Sequence, residues 1–440
     1  MEKTQLVRDW RGRDYLVGDT PRDLINRPRS WMFWLPWAAM ASIGAMQYGY
    51  AAAVPALAQA RGWPLASALA PLAVWIVCQA AVALPTVLLL RRGALGIRVA
   101  LWAGAPLSAA ALLTVALARD LPAVFAGYAL LGGVGAGLVY GSCTEAVARW
   151  YPERPAARVG FTTGAFAYGT APLAVVAVLE EGATVTGPDG GALRPLFVVA
   201  AVVALAAVGL AAAFVRLPPP HWWPAHIDPR AWADDRVALR REPRAVRQFS
   251  LGQALRTGSL PTLVSILVCA GAVSIFDVVA LATSGGFSPW AAVALLLVLN
   301  GAGRACAMLA AEVTGRGRTL SAVLALLCLG QLLLAWGTVT GSAVMILVAT
   351  VPAGLGGGAF YPLIASLVRE YFGEKHTASI HGVVYSAKAV AGLVGVALAA
   401  LALTSSGHAA AFFLAAGLVL AAVALSATLR QPGHPVTLPR

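Results

Sequence analysis

The sequence predicts an all-α membrane protein with twelve transmembrane helices in two repeated bundles of six. Three observations predict this class: an apolar composition, twelve apolar runs of membrane-spanning length, and a motif that recurs in the second half of the chain. Of the 440 residues, 59% are hydrophobic and only 12% are charged. A soluble domain carries about 25% charged residues, so this chain is too apolar to cover its surface in water.

Twelve runs reach the length of about 20 apolar residues that a bilayer requires. They lie at 31–57, 67–90, 97–117, 122–148, 158–178, 194–216, 260–284, 288–313, 319–339, 343–369, 378–402 and 409–429. We expect a cytoplasmic N-terminal segment (1–30), a six-helix bundle (31–216), a cytoplasmic central loop (217–258), a second bundle (259–430) and a cytoplasmic tail (431–440). In the loop, Ser250 and Gln253 form either a capping box that starts a short interfacial helix or part of an ordinary linker.

The basic residues support this topology, because cytoplasmic segments of membrane proteins carry an excess of Lys and Arg. With both ends in the cytoplasm, the outer loops hold only three of the 32 Lys and Arg residues, which are Arg61, Arg119 and Arg194. The net charge of +13 is therefore a topology signal. Its expected partner is anionic membrane lipid rather than nucleic acid.

The two halves repeat one another. The segment from Gly133 to Tyr140 (GVGAGLVY) recurs as GLGGGAFY, and Tyr361 lies 221 positions after Tyr140. Two matched halves joined by a polar loop are typical of transporters built from repeats. Glycines at four-residue spacing let helices approach closely, so we expect helix packing at Gly133, Gly137, Gly354 and Gly358.

Two cations, Arg304 and Lys388, fall near the middle of predicted spans eight and eleven. A charge there costs about 2.5–3.5 kcal/mol, so such residues usually face a cavity and serve function. Two cations at one depth indicate an anion site. The alternative is a structural role, in which they bond backbone carbonyls or pair with Glu145 or Asp277. Tyrosines at similar depth could donate hydrogen bonds to a carboxylate, and these are Tyr140, Tyr361 and Tyr385.

The sequence does not identify the ion that drives transport. A proton symporter needs a titrating group, and the candidates are Lys388, His381 and Asp277. Buried acids would instead mark a proton-coupled efflux carrier of a hydrophobic or cationic compound. No metal, nucleophile or cofactor motif occurs, so an enzyme is not expected. A sensor that binds without transporting is a further alternative.

Several of these residues resemble the major facilitator superfamily, and within it the oxalate/formate antiporter and monocarboxylate transporter group. The segments that carry the resemblance are NGAGR ending at Arg304, YSAK ending at Lys388, and the pair Gln47-Tyr48. The resemblance implies that Arg304 and Lys388 bind a carboxylate. It also implies that other residues line the site, namely Asn300, Gln47, Tyr48, Tyr140, Tyr361 and Tyr385.

The sequence departs from that group in two places. The loop after span two reads Arg91-Arg92-Gly93 and lacks the acid usual in the superfamily. Gly357 and Ala41 stand where aromatic residues are expected, which implies a wider pocket and a larger or less polar monocarboxylate than oxalate. We therefore expect a monomeric secondary transporter of the cytoplasmic membrane, without a cofactor, that moves a small organic anion by alternating access.

Overall fold

The structure is a computed structural model, and it describes residues 5–9, 12–180, 193–235, 237, 245–283 and 289–434. Within these residues, eleven helices are long and apolar enough to cross a membrane. A further run of three consecutive helical segments, between residues 31 and 61, makes the twelfth. Helices suit a bilayer because they satisfy every backbone hydrogen bond within one segment. The predicted all-helical membrane fold is therefore confirmed.

The first six spans are interrupted twice by π-helical turns. They comprise α1 (Trp31–Gly44, π-helical Ala45–Gly49 and Tyr50–Arg61), α2 (Leu65–Arg91), α3 (Ile97–Leu117), α4 (Leu121–Ala123, π-helical Val124–Gly132 and Gly133–Trp150), α5 (Pro155–Tyr168 and Ala171–Glu180) and α6 (Leu193–Phe214).

The other six spans follow the central loop. They comprise α7 (Ser259–Thr283), α8 (Pro289–Thr314), α9 (Arg316–Thr340), α10 (Ala343–Phe372), α11 (Thr377–Leu401 and π-helical Ala402–Ser406) and α12 (His408–Thr428). Between the bundles, α2 packs against α11 and α5 packs against α8.

The repeated glycines lie at equivalent helix contacts in the two halves. A Cβ on Gly133 of α4 would come within 2.8 Å of the Trp75 carbonyl oxygen of α2. A Cβ on Gly354 of α10 would come within 2.9 Å of the Leu296 carbonyl oxygen of α8, and Leu296 lies 221 positions after Trp75. The sequence repeat therefore corresponds to a repeated helix pair, α2–α4 and α8–α10.

A small antiparallel hairpin precedes the first span, which sequence reasoning did not predict. Strands β1 (Gln5–Arg8) and β2 (Asp14–Val17) pair with each other, and Leu16 also bridges to Trp222 of the central loop. Short helices Pro21–Ile25 and Pro229–Asp234 accompany them, and the capping box at Ser250 is present on the short helix Leu251–Leu255.

Both ends of the described chain lie at one face, which we call the terminal face. The hairpin residue Arg13 forms an ion pair with Glu374, in the turn between α10 and α11. From the other end, the Gln431 Nε2 donates to the Glu370 carbonyl 3.1 Å away. Two ends of a chain lie on the same side of a membrane when the chain crosses it an even number of times. The assignment of the terminal face to the cytoplasm stays a prediction from the charge distribution.

The ion pairs of Glu374 predict a pH-dependent contribution to stability. Burial alone would raise its pKa, but the charges of Arg369 and Arg13 outweigh burial and lower the pKa from 4.5 to about 2. A pKa lowered by folding stabilises the protein above about pH 4.5 and loses that contribution as the pH falls towards 2. The effect is small, because 36% of the Glu374 side chain is exposed.

The corresponding measurement is the unfolding midpoint of wild type and Glu374→Gln between pH 7 and pH 2. We expect the wild type to unfold at the higher temperature at pH 7, and the difference to shrink below about pH 4.5. A difference that stays constant across this range would contradict the ion-pair account.

Candidate functional site

The site begins with an irregular turn in α1. Gln47 and Tyr48 lie in its π-helical segment Ala45–Gly49 and are 1% and 2% exposed. A π-helical turn inserts an extra residue into a helix, and such turns occur frequently at functional sites. Both predicted residues therefore lie inside the protein, on the bundle opposite the one that carries the two cations.

Lys388 of α11 is 4% exposed and reaches across to the N-terminal bundle. Its Nζ donates to Gln47 Oε1 at 3.0 Å and to Gln79 Oε1 of α2 at 2.9 Å. The Nζ also lies 5.2 Å from the ring centroid of Phe166 in α5. The buried ammonium group is thus held by neutral amide oxygens and an aromatic face.

Arg304 of α8 is 3% exposed and likewise bonds to the opposite bundle. Its Nη1 donates to the Thr163 carbonyl at 2.8 Å, and its Nη2 donates to Tyr48 Oη at 3.4 Å and Asn300 Oδ1 at 3.2 Å. Its guanidinium carbon lies 5.2 Å from the Tyr361 ring centroid. Its buried Nε has no hydrogen-bond partner among the described residues. A backbone carbonyl therefore accepts a hydrogen bond from Arg304, as expected if the cation has a structural role. The Nε–H group nevertheless remains available to a ligand.

Two amide side chains hold the two cations at positions related by the repeat. Asn300, next to Arg304, lies 221 positions after Gln79, next to Lys388. Each amide also bonds one hydroxyl group: Gln79 Nε2 donates to Tyr385 Oη at 3.2 Å, and Asn300 Nδ2 donates to Ser274 Oγ at 3.4 Å. The internal repeat therefore extends into the site.

A cavity of about 390 Å³ reaches the site from the terminal face. Its wall includes Glu374 and Arg149 near the mouth and Tyr140, Tyr361 and Tyr385 near the middle of the bundles. The rings of Tyr140 and Tyr385 stack with centroids 5.2 Å apart. Neither cation lines this cavity, so the tyrosine layer lies between the cavity and the cations.

The acids predicted as possible partners of the cations are engaged elsewhere. Glu145 of α4 accepts from Arg149 at 2.7 Å and from Arg91 at 2.9 Å. Arg91 begins the loop segment Arg91-Arg92-Gly93, which has no acidic residue of its own, so Glu145 supplies the carboxylate that pairs with it. Asp277 Oδ2 accepts from Gln331 Nε2 of α9 at 2.9 Å. Within the described parts of the chain, Arg304 and Lys388 form no ion pair with either acid.

The proton-coupling candidates do not form one cluster. His381 lines the cavity and its ring lies 5.9 Å from that of Tyr385, on the terminal side of Lys388. Asp277 is 1% exposed and its Oδ1 has no partner among the described residues. The described residues contain no group of three or more His, Cys, Asp or Glu side chains that could hold a metal ion.

Sequence reasoning missed three contacts of the site: Gln79, Phe166 and the carbonyl of Thr163. Gln79 carried a signal only through the repeat, since it lies 221 positions before the predicted site residue Asn300. Phe166 and Thr163 carried none, because an aromatic residue and a backbone carbonyl in a membrane helix are ordinary features.

Comparisons with known proteins agree with this fold. Residues 280–440 match the family model of the Major Facilitator Superfamily. A solved structure of the proton:xylose symporter XylE bound to 6-bromo-6-deoxy-D-glucose is similar, with a TM-score of 0.64 and 15% identity over 91% of this chain and 96% of that chain. The human organic anion transporter MFSD10 (TETRAN) is similar too, with a TM-score of 0.60 and 16% identity over 93% and 100%. No curated protein has a significantly similar sequence.

The chain is a multi-pass membrane protein with the major facilitator fold of two six-helix bundles. The match of residues 280–440 to the family model agrees with the expectation of a transporter. Transporters of this fold carry a small molecule between two bundles that rock about a central site.

Proposed function

We propose that this protein is a secondary transporter of a small organic anion, a mono- or dicarboxylate, that works by alternating access across the cytoplasmic membrane. The observation that carries the proposal is the pair of buried cations, Arg304 and Lys388, which bond across the bundle interface and, among the described residues, to neutral groups only. The resemblance to carboxylate transporters supports it.

A buried charge is costly unless an opposite charge or several hydrogen bonds compensate it. Here Lys388 has two amide oxygens, and the Nε of Arg304 has no partner in the described residues. The present bonds join a charged donor to a neutral amide oxygen, whereas a carboxylate would add the attraction of an opposite charge, so it would compete well with the amides. An anion is therefore the ligand that this site favours.

The hydrogen bonds across the bundle interface would couple substrate binding to the movement of the bundles. Lys388 and Arg304 belong to the second bundle, whereas Gln47, Gln79 and Tyr48 belong to the first. Rocking of the bundles must break or rearrange these contacts. An anion that takes over the donors would lower the cost of breaking them, and so would couple occupancy to opening.

Gly357 of α10 lies next to the polar groups around Arg304, at a position where the resemblance implies an aromatic residue in oxalate carriers. A Cβ on Gly357 would lie 3.6 Å from Asn300 Nδ2 and 3.7 Å from Ser274 Oγ, in ordinary contact distance. A large side chain at this position would occupy the region next to the polar groups that hold Arg304.

The efflux alternative receives less support. A carrier of cations would be expected to expose an acid to its cavity. The acids that line this cavity, Glu145 and Glu374, are each paired with two arginines, and Asp277 does not line it.

Uptake of labelled mono- and dicarboxylates into proteoliposomes tests the proposal. The design compares vesicles with and without internal unlabelled anion, and with and without an inward proton gradient. Uptake that requires internal anion identifies an exchanger, and uptake driven by the gradient identifies a proton symporter. If no carboxylate is transported by folded protein while an organic cation is, the proposal is wrong.

Gln79→Leu tests the contacts around Lys388. The substitution removes one acceptor of the ammonium group and the bond to Tyr385. Hydrogen bonds to charged groups contribute about 1.5–3 kcal/mol, so we expect carboxylate uptake per folded protein to fall by roughly 10-fold to 100-fold. Gln79→Glu, which pairs Lys388 with an internal carboxylate, should inhibit at least as strongly. Normal uptake by both variants would remove Gln79 from the site.

A further inference from the structure

Three arginines meet at the terminal-face end of α6. Arg216 follows the last residue of this helix, and its Nη1 donates to the carbonyls of Ala213 and Val215 at 3.0 and 2.9 Å. Arg98, in the first turn of α3, donates from Nε to the Ala212 carbonyl at 3.3 Å. Together these bonds satisfy carbonyls that the end of a helix leaves without intrahelical donors.

The third arginine precedes α1 and packs on aromatic rings. The guanidinium carbon of Arg27 lies 4.3 Å from the ring centroid of Trp31 and 4.2 Å from that of Phe214, the last residue of α6. Stacking and backbone capping fix the three guanidinium groups in place, and among the described residues other N–H groups of each make no hydrogen bond. In the described residues, none of the three forms an ion pair with a carboxylate.

The charges of Arg98 and Arg216 repel each other. Burial lowers the pKa of Arg216 first, and the positive charge of Arg98 lowers it further. One carboxylate, that of Asp23, lines the recess beside Arg27 and Arg216, but it accepts from the backbone N and the Oγ1 of Thr20. The cluster therefore carries excess positive charge that an anion would relieve, and guanidinium groups match the geometry of phosphate oxygens.

The surroundings of the cluster are those of a membrane boundary. The recess has a volume of about 780 Å³. One turn after Arg98, Trp102 is 51% exposed and lies over Gly209 of α6, 3.9 Å from where a Cβ would be. Val99 is 63% exposed, and Trp31 is 36% exposed. An apolar outer face thus continues from the arginines along α3 and α6, at the place where acyl chains would lie.

We propose that Arg27, Arg98 and Arg216 form a binding site for the phosphate headgroup of an anionic phospholipid, whose acyl chains pack along α3 and α6 near Trp102. The site is separate from the Arg304–Lys388 pair and does not depend on the proposed substrate. The chemistry that it recognises is a phosphate group, and the apolar face selects lipid over free phosphate. Basic recesses between helices on the cytoplasmic side of membrane proteins bind such headgroups.

Native mass spectrometry of the full-length protein tests the site by counting retained lipids. Purified protein is incubated with phosphatidylglycerol and phosphatidylcholine of the same chain length. We expect wild type to retain one more phosphatidylglycerol than the triple variant Arg27→Gln, Arg98→Gln, Arg216→Gln. The matched control replaces three exposed arginines of the central loop and the second bundle, Arg256→Gln, Arg318→Gln and Arg430→Gln, and should retain the wild-type number.

Arg216 and Arg98 also bond backbone carbonyls, so the triple Gln variant would also lose the lipid if it misfolded. The single variant Arg98→Gln and a triple Arg→Lys variant control for this. Arg98→Gln should weaken phosphatidylglycerol retention, and the Lys variant should keep most of it. Equal retention by wild type and the Gln triple would overturn the proposal, as would equal loss in the control triple. Inorganic phosphate that displaces the lipid at low concentration would overturn the assignment to lipid.

Discussion

Neutralising either cation, by Arg304→Gln or Lys388→Gln, is expected to lower carboxylate uptake by at least about 30-fold. Removing one partner of a desolvated charge pair costs about 2–5 kcal/mol, and each 1.4 kcal/mol is a factor of ten. Both groups are 3–4% exposed, so water cannot replace the lost charge. The measurement is initial uptake into proteoliposomes, normalised to the amount of folded protein.

The folded state of these variants separates a binding role from a structural role. A buried charge without a counter-ion destabilises a membrane protein, so the neutral variants should unfold at the wild-type temperature or above it. Arg318→Gln, at an exposed position, controls for the loss of positive charge and should transport normally. Wild-type uptake by either cation variant would refute the anion site, and a large loss of thermal stability would favour the structural role.

Gly44→Ala is expected to destabilise the first bundle by about 3 kcal/mol or more. A Cβ at Gly44 of α1 would lie 1.8 Å from the carbonyl oxygen of Phe166 in α5. The contact is reciprocal, because a Cβ at Gly169 of α5 would lie 1.6 Å from the carbonyl oxygen of Ala41 in α1. Backbone atoms cannot rotate away as a side chain can, so the two helices must separate. Overpacking usually costs about 1–3 kcal/mol of stability, and we expect this contact to cost at least the upper value.

The consequence reaches the site, because Phe166 contacts Lys388 and α1 carries Gln47 and Tyr48. The measurement is the unfolding midpoint and the monodisperse yield of Gly44→Ala in detergent. Gly417→Ala is the matched control: this helical glycine is exposed, a Cβ added to it would meet no atom within 4 Å, and alanine there should gain about 0.5–1 kcal/mol. Equal midpoints for Gly44→Ala and wild type would contradict the close backbone contact.

Much of the fold was predictable because the bilayer imposes strong rules. The length of the apolar runs predicts the spans, and the bias of Lys and Arg predicts an even number. The π-helical turn at Ala45–Gly49 was not predictable, since it depends on how α1 packs rather than on its composition. The hairpin before α1 was not predictable either, because Leu16 pairs with Trp222, which lies beyond six spans.

The candidate site was partly predictable, because burying a charged side chain in a membrane helix costs free energy. Arg304 and Lys388 stand out because a charge in a membrane helix is expensive, and the tyrosines stand out through their depth and their repeat. Gln79 did not stand out because an uncharged amide in an apolar helix is an ordinary feature until its repeat partner Asn300 is known to bond a cation. The Thr163 carbonyl is a backbone group, so only the packing of α5 against α8 brings it to Arg304.

Equilibrium binding to the purified protein tests the central claim, which is that Arg304 and Lys388 form one anion site. Calorimetric titration with a panel of small mono- and dicarboxylates should give saturable binding at one site per protein for at least one member. Binding should be lost in Arg304→Gln and in Lys388→Gln and kept in Arg318→Gln. Binding of the same anion with unchanged affinity in either cation variant would show that the site lies elsewhere.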